Sequence, residues 1–130
     1  MGGLSGTPLK PLSLATLRSL RALLPGSVPI FGCGGISSGE DALEYARAGA
    51  TAVQLYTCFG FEGVGAPRRI KDELTALLRK EGTTWSAVVK KAVKEKSLPV
   101  PVKAGEGTVA QLIEEAQELN SLLDKLGERI

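Results

Sequence analysis

Apolar and polar positions alternate along the first 80 residues in a way that predicts helices interleaved with strands. Residues 13–24 carry leucines at helical spacing on one face, Ser13 is suited to cap that helix, and a Pro-Gly pair ends it. The apolar runs at 28–32 and 51–57 are short and nearly continuous, as in strands that are covered on both faces. The glycine-rich stretch 58–65 then reads as a loop.

Two further helices are indicated by the residues at their starts. Ser38 with Asp41 three positions later resembles a capping box, and it begins a helix over 40–48 that a glycine ends. Pro67 suits the first turn of another helix, which runs to about Lys80. The residues expected to point inward from this last helix are Ile70, Leu74, Leu77 and Leu78.

The rest of the chain has a different character, and it divides the sequence into three segments. We expect residues 1–95 to form β/α units, in which Thr84 caps a final short helix. Residues 96–107 are rich in proline and glycine and read as a linker. Residues 108–130 begin with a Thr-x-x-Gln capping box and carry a leucine stripe, which predicts an amphipathic C-terminal helix.

Strands that alternate with helices predict an α/β fold with a parallel sheet and right-handed crossovers. A complete (β/α)₈ barrel needs roughly 200 to 250 residues, whereas this chain has 130. If the fold is a (β/α)₈ TIM barrel, we therefore expect the chain to be a portion of it, with two parallel strands and flanking helices, followed by a helical C-terminal extension.

Composition removes several classes of function. The chain has no histidine, which excludes imidazole acid–base chemistry and histidine-bound metals within it. The net charge is only +2 and basic residues are interleaved with acidic ones, so no nucleic-acid partner is expected. No apolar run reaches about 18 residues, so no transmembrane segment is predicted, and the N-terminus lacks the pattern of a targeting signal.

The cysteines and four basic residues are expected to have structural rather than chemical roles. Cys33 and Cys58 match no zinc spacing, and both are expected to be small buried residues; no metal site is predicted. Four basic residues are expected to lie on a solvated face: Lys10, Arg68, Arg69 and Lys71.

Three loops have the composition of anion-binding sites. They are the stretch from Gly2 to Gly6, the stretch 32–38 with its glycines and serines, and Tyr56-Thr57 with the glycines that follow. Glycine lets the backbone approach a phosphate, and a helix start near Ser38 would add its positive end. Loops after strands 7 and 8 of a (β/α)₈ barrel frequently bind phosphate. Ordinary turns remain the alternative for each loop taken alone.

Three long strings resemble one known family. GGLSGTPLKPLSLATLRSLR, VPIFGCGGISSGEDALEYARAGATAVQLYT and RRIKDELTALL are similar to the C-terminal part of the class 2, quinone-dependent dihydroorotate dehydrogenases of fungal type, over about residues 2–90. The resemblance implies a (β/α)₈ barrel that holds FMN and oxidises dihydroorotate to orotate in pyrimidine (UMP) biosynthesis. It also implies ubiquinone as electron acceptor and the mitochondrial inner membrane as location.

The same resemblance assigns cofactor contacts but no catalytic residue. The family's serine base and its flavin-contacting lysine belong to segments upstream of GGLSG, so these 130 residues alone are predicted to be inactive. Two alternatives stay open: another phosphate-binding barrel enzyme, or a truncated gene product that is inactive or serves as an interaction module. The residues that match FMN contacts are Ser5, Gly6, Gly34, Gly35, Leu55, Tyr56 and Thr57.

One geometric expectation makes the phosphate-site hypothesis testable in a structure. Residues 28–31 and 52–56 should be adjacent parallel strands, because a helix separates them along the chain. Each of these strands is followed by one of the glycine-rich loops. The loops at Gly34 and Thr57 should then open at the same edge of the sheet.

Overall fold

The computed structural model describes residues 3–97, which form five α-helices and a two-stranded parallel sheet. The α/β alternation expected from the sequence is thereby confirmed. Residues 98–130, which include most of the expected linker and the expected C-terminal helix, lie outside the described residues. The elements are α1 Lys10–Leu23, β1 Phe31–Cys33, α2 Gly39–Arg47, β2 Ala52–Gln54, α3 Thr57–Glu62, α4 Ala66–Lys80 and α5 Trp85–Lys96, with short 3-10 helices at Thr7–Leu9 and Gly63–Gly65.

The two strands pair in parallel, with Gly32 opposite Val53. Both strands are shorter than the sequence predicts, and β1 starts three residues late. The reason is a turn before it: the Val28 N–H donates to the Pro25 carbonyl at 3.0 Å, and the Val28 carbonyl accepts from Arg21 at 2.9 Å. Because both of its backbone groups are already bonded, Val28 does not join the strand ladder.

Arg21 is the reason for this turn, and its role was not predicted from the sequence. Its guanidinium is fully buried and also donates to the Pro25 carbonyl at 3.4 Å. Gly49 closes over it, since a Cβ there would lie 2.9 Å from the Arg21 Cγ. This arginine therefore ties the end of α1 to the turn before β1 and to the turn after α2.

The prediction that Ser13 caps α1 is wrong. The helix begins at Lys10, directly after the 3-10 helix Thr7–Leu9, so Ser13 lies within it. Pro8 and Pro11 lie in the first turns of these two helices, where a missing backbone N–H costs nothing.

The prediction of a loop over 58–65 is also wrong. Residues Thr57–Glu62 form α3, and the 3-10 helix Gly63–Gly65 leads from it into α4. Gly60 within α3 made the stretch look irregular, because glycine in a helix interior costs about 0.5–1 kcal/mol relative to alanine. The expected start of α4 at Pro67 is confirmed to within one residue.

Two of the predicted caps are present. The Ser38 hydroxyl accepts the Asp41 N–H at 3.1 Å, and the Thr84 hydroxyl accepts the Ala87 N–H at 3.3 Å. The return half of the capping box differs, because the Asp41 carboxylate binds Ser37 rather than Ser38. The core under the sheet is built by Leu14, Leu17, Ile30, Ile36, Ala42, Tyr45, Ala48, Ala50 and Ile70.

Candidate functional site

The loops that follow the two strands and the loop before α1 surround one cleft of about 690 Å³. Both strand ends lie at the same edge because the strands are parallel, and this geometric expectation is confirmed. Leu55 differs from the other predicted contacts, because it packs against the core and does not line the cleft. The predicted residues that line it are Ser5, Gly6, Gly34, Gly35, Tyr56 and Thr57.

The glycines of the first two loops interlock so closely that no side chain fits between them. Gly35 has φ +68°, and a Cβ on it would lie 2.9 Å from both the Gly6 carbonyl oxygen and the Lys10 nitrogen. Gly34 has φ +119°, and its Cβ would meet the Ser13 hydroxyl at 2.2 Å. The backbone of these loops is therefore the surface that a ligand would meet.

Polar groups in this cleft include several unused hydrogen-bond donors. Within residues 3–97, the backbone N–H groups of Gly34, Gly35 and Thr57 have no protein acceptor. The hydroxyl-bearing side chains of Ser5 and Thr7 also line the cleft. Such a set of backbone N–H and hydroxyl donors suits an oxyanion.

The start of α2 does not belong to this donor set, contrary to expectation. The Gly39 N–H donates to the Glu73 carboxylate at 2.8 Å, and the Asp41 N–H is held by Ser38. The bond from Gly39, together with a contact from Arg69, lowers the pKa of Glu73. A protein carboxylate thus already occupies the positive end of the helix.

Tyr45 supports the glycine loop from below, and its role was not foreseen. Its ring is fully buried against Gly32, where a Cβ would lie 2.4 Å from the Tyr45 Cδ1. Its hydroxyl donates to the Gly34 carbonyl at 2.7 Å, and burial raises its pKa. A tyrosine in the middle of an apolar helix face gives no sequence signal for such a contact.

The prediction of a solvated basic face is confirmed for Arg68, Arg69 and Lys71, which are exposed, and is wrong for Lys10, whose side chain is only 20% exposed. Lys10 forms ion pairs with Asp41 and Glu44 on α2. Arg69 binds Glu62 and Glu73 at 2.6 Å each. Their partners lie 7 to 34 residues away along the chain or on the next helical turn, and composition does not reveal which of these pairs form.

Glu62 is the acidic residue of the cleft lining, and Arg69 neutralises it. Two nitrogens of the Arg69 guanidinium bind the Glu62 carboxylate at 3.1 and 2.6 Å, which lowers the pKa of Glu62. No lysine or arginine lines the cleft among the described residues. Any anion held there would depend on dipoles rather than on a direct positive charge.

The prediction that both cysteines are buried is wrong. Cys33 is exposed and Cys58 is half-buried, and both line the cleft. Burial and a hydrogen bond to Glu62 raise the pKa of the Cys58 thiol, which therefore stays protonated near neutral pH. Cys33 ends strand β1, and it shares with Phe31 the face of that strand that is exposed in the described structure.

The described part of the chain lacks two further kinds of feature. No helix there combines the length and apolarity that crossing a bilayer requires. No cluster of three or more histidine, cysteine or acidic residues is placed to hold a metal ion in the same residues.

The family model for dihydroorotate dehydrogenase matches residues 1–78, which is more than half of the chain. The chain belongs to the dihydroorotate dehydrogenase family. The match includes both β/α units and all seven residues that the sequence singled out.

Curated members of the family match the same region. A Schizosaccharomyces pombe protein named dihydroorotate dehydrogenase (quinone), mitochondrial, is 56% identical over 90 residues, which is 69% of this chain and 20% of that protein. A Mus musculus protein of the same name is 54% identical over 81 residues, covering 62% of this chain and 20% of the mouse protein. The chain thus spans about a fifth of the length of these dihydroorotate dehydrogenases.

Solved structures of the family have the same local fold. The ligand-free dihydroorotate dehydrogenase of Eimeria tenella aligns with a TM-score of 0.65 at 39% identity, over 68% of this chain and 25% of that one. The same enzyme in complex with ferulenol aligns with a TM-score of 0.62 at 40% identity, over 72% of this chain and 24% of that one.

Proposed function

We propose that this chain supplies the phosphate-binding end of the FMN site in a quinone-dependent dihydroorotate dehydrogenase. The observation that carries the proposal is the convergence of the loop before α1, the glycine loop after β1 and the start of α3 on one cleft with unused backbone N–H groups. Family membership adds the identity of the anion, since FMN ends in a phosphate. The fold proposal is that β1 and β2 are two neighbouring strands of a (β/α)₈ barrel.

The residues present fit a phosphate group. Positive φ angles at Gly6, Gly34 and Gly35 leave backbone surface without side chains, as phosphate loops require. The cleft has no positive side chain in its described lining, so the N–H groups of Gly35 and Thr57 would carry the electrostatic work. Ser5 and Gly6 would contact the cofactor from the facing loop, and Tyr56 through its backbone; Leu55, which packs against the core, would hold that backbone in place.

In the whole enzyme, FMN held by these residues would supply the hydride and electron chemistry that links dihydroorotate to ubiquinone. This chain's own part would be to fix the cofactor, because none of its described residues is placed as a base. We propose a mitochondrial inner-membrane location in pyrimidine (UMP) biosynthesis, in keeping with relatives named as mitochondrial quinone enzymes.

The first prediction is that the chain binds FMN more tightly than riboflavin. The two ligands differ only in the phosphate, and a set of charge-assisted hydrogen bonds is worth at least about tenfold in affinity. Flavin fluorescence titrations on the 130-residue chain measure both dissociation constants. Amide shifts confined to the loops at Gly34 and Thr57 would locate the site. Equal affinities, or shifts elsewhere, would contradict the phosphate assignment.

The second prediction is that the 130-residue chain alone does not turn over dihydroorotate. Loss of a general base typically costs about 10²–10⁴-fold, and an incomplete flavin site costs more. The assay combines purified chain, FMN and a quinone acceptor, and the expected rate equals the blank. A chimera that carries residues 1–90 in the matching place of the Schizosaccharomyces pombe relative is the positive control and should be active. Turnover by the chain itself would overturn the assignment of the base to other segments.

A further inference from the structure

The loop that carries Gly34 and Gly35 is fastened at its far end by one carboxylate. One oxygen of Asp41 accepts both the N–H of Ser37, at 2.9 Å, and the hydroxyl of Ser37, at 3.0 Å. The side chain of Asp41 is only 13% exposed, so water competes little for these bonds. Because its N–H is bonded to Asp41, Ser37 is fixed facing α2 and cannot donate that group to a ligand.

The other oxygen of Asp41 is held by Lys10, which also contacts the loop at its near end. The Lys10 ammonium pairs with Asp41 and, at 2.8 Å, with Glu44. Its backbone lies directly against Gly35, where an added Cβ would come within 2.9 Å of the Lys10 nitrogen. One residue of α1 therefore fixes both ends of the glycine loop, through its backbone and through its charge.

We propose that Asp41, anchored by Lys10, is the positioning residue that holds residues 34–37 in the conformation that receives the cofactor phosphate. The inference rests on the proposed function for its ligand, although neither side chain lines the cleft. Asp41 acts through Ser37, because binding both hydrogen-bond donors of Ser37 fixes the backbone that presents the Gly34 and Gly35 N–H groups.

The burial of the ion pair distinguishes it from the other pairs on α2. The Lys10 and Asp41 side chains are 20% and 13% exposed, whereas Arg47 and Glu81, which also join α2 to a distant helix end, are 51% and 38% exposed. Exposed pairs contribute little to stability because water and salt screen them. Replacing Arg47 is therefore a matched control, because it removes a charge from α2 without touching the loop.

A second tether limits the size of the effect. Arg69 donates to the Ser37 carbonyl at 3.0 Å, so the loop stays attached to α4 when Asp41 is altered. We expect a weakened phosphate site rather than an unfolded protein. The expected loss of FMN affinity is about tenfold, the scale of one charge-assisted hydrogen-bonded pair.

The experiment compares Lys10→Met and Asp41→Asn with the control Arg47→Met in the full 130-residue chain. Amide hydrogen exchange at Ser37, whose N–H is bonded to Asp41, reports the loop without any ligand, and flavin fluorescence reports the FMN dissociation constant. Both loop variants should show faster exchange at Ser37 and about tenfold weaker FMN binding. Lys10→Arg should keep both Ser37 exchange and FMN affinity near those of the unaltered chain, since arginine can pair with the same carboxylates. Arg47→Met should change neither quantity.

The outcomes separate this inference from the proposed function. Unchanged Ser37 exchange in Asp41→Asn overturns the positioning role, whatever the protein binds. Faster exchange with unchanged FMN affinity also overturns it, because the loop conformation would then not matter to the phosphate. If the unaltered chain shows no preference for FMN over riboflavin, the proposed function fails, while the exchange data still decide whether Asp41 holds the loop.

Discussion

Replacing Gly39 by alanine is expected to lower the free energy of unfolding by about 2–3 kcal/mol, the upper part of the usual range for overpacking. Gly39 is where α2 meets α4, and an added Cβ would lie 2.4 Å from the Leu74 nitrogen and 2.6 Å from the Glu73 Cβ. Backbone atoms cannot rotate aside, so the two helices must separate. Their separation also strains the bond from the Gly39 N–H to the Glu73 carboxylate.

Gly60→Ala is the matched control for this change. Gly60 lies inside α3, and a Cβ there would have no neighbour within 4 Å among the described residues. Alanine should therefore leave stability unchanged or raise it by about 0.5–1 kcal/mol, through its better helix propensity. Urea unfolding followed by circular dichroism measures both variants. Similar stabilities for the two would show that α2 and α4 are not packed as described.

The features that the sequence predicts well are those encoded by neighbouring residues. The caps at Ser38 and Thr84 and the proline in the first turn of α4 depend on contacts within about one helical turn. The parallel pairing follows from strand–helix alternation, which needs no knowledge of distant contacts. These local signals were enough to place the glycine loops at one edge of the sheet.

The features that the sequence did not reveal depend on contacts between distant residues. Val28 is a residue type that favours strands, but buried Arg21 donates a hydrogen bond to its carbonyl, and the strand begins only at Phe31. Lys10 looked like a surface charge, but its carboxylate partners come from α2, more than 30 residues later. Tertiary contacts override local preference in each case, because a buried polar group must find a partner.

In the candidate site, too, some features were predicted from the sequence and others were not. The glycines before α1 and after β1 predicted which backbone segments surround the cleft. Glycine is needed there because φ is positive and two backbone segments come into close contact. The supports of those loops were not predicted: Tyr45 below Gly34, and Asp41 with Lys10 beside Ser37. A tyrosine, an aspartate and a lysine on helices are unremarkable in sequence, and only the fold brings them to the loop.

Replacing Gly35 by alanine is expected to weaken FMN binding by about 100-fold, the scale of losing a hydrogen bond to a charged group at about 1.5–3 kcal/mol. The new Cβ would lie 2.9 Å from the Gly6 carbonyl oxygen and from the Lys10 nitrogen, both backbone atoms. The two loops that frame the cleft must then move apart, and the Gly35 N–H moves with them. The free energy of unfolding should also fall, because φ at this residue is +68°.

Gly82→Ala separates the effect on the site from the cost of the backbone conformation. Gly82 has φ +62°, close to that of Gly35, but a Cβ there would meet no atom within 4 Å in the described structure, and the residue lies outside the cleft. Both variants should lose about 1 kcal/mol through backbone strain. Only Gly35→Ala should lose FMN affinity as well, measured by flavin fluorescence beside urea unfolding. If both bind FMN like the unaltered chain, the glycine loop is a turn and not a phosphate site; if both lose it equally, the loss reflects stability alone.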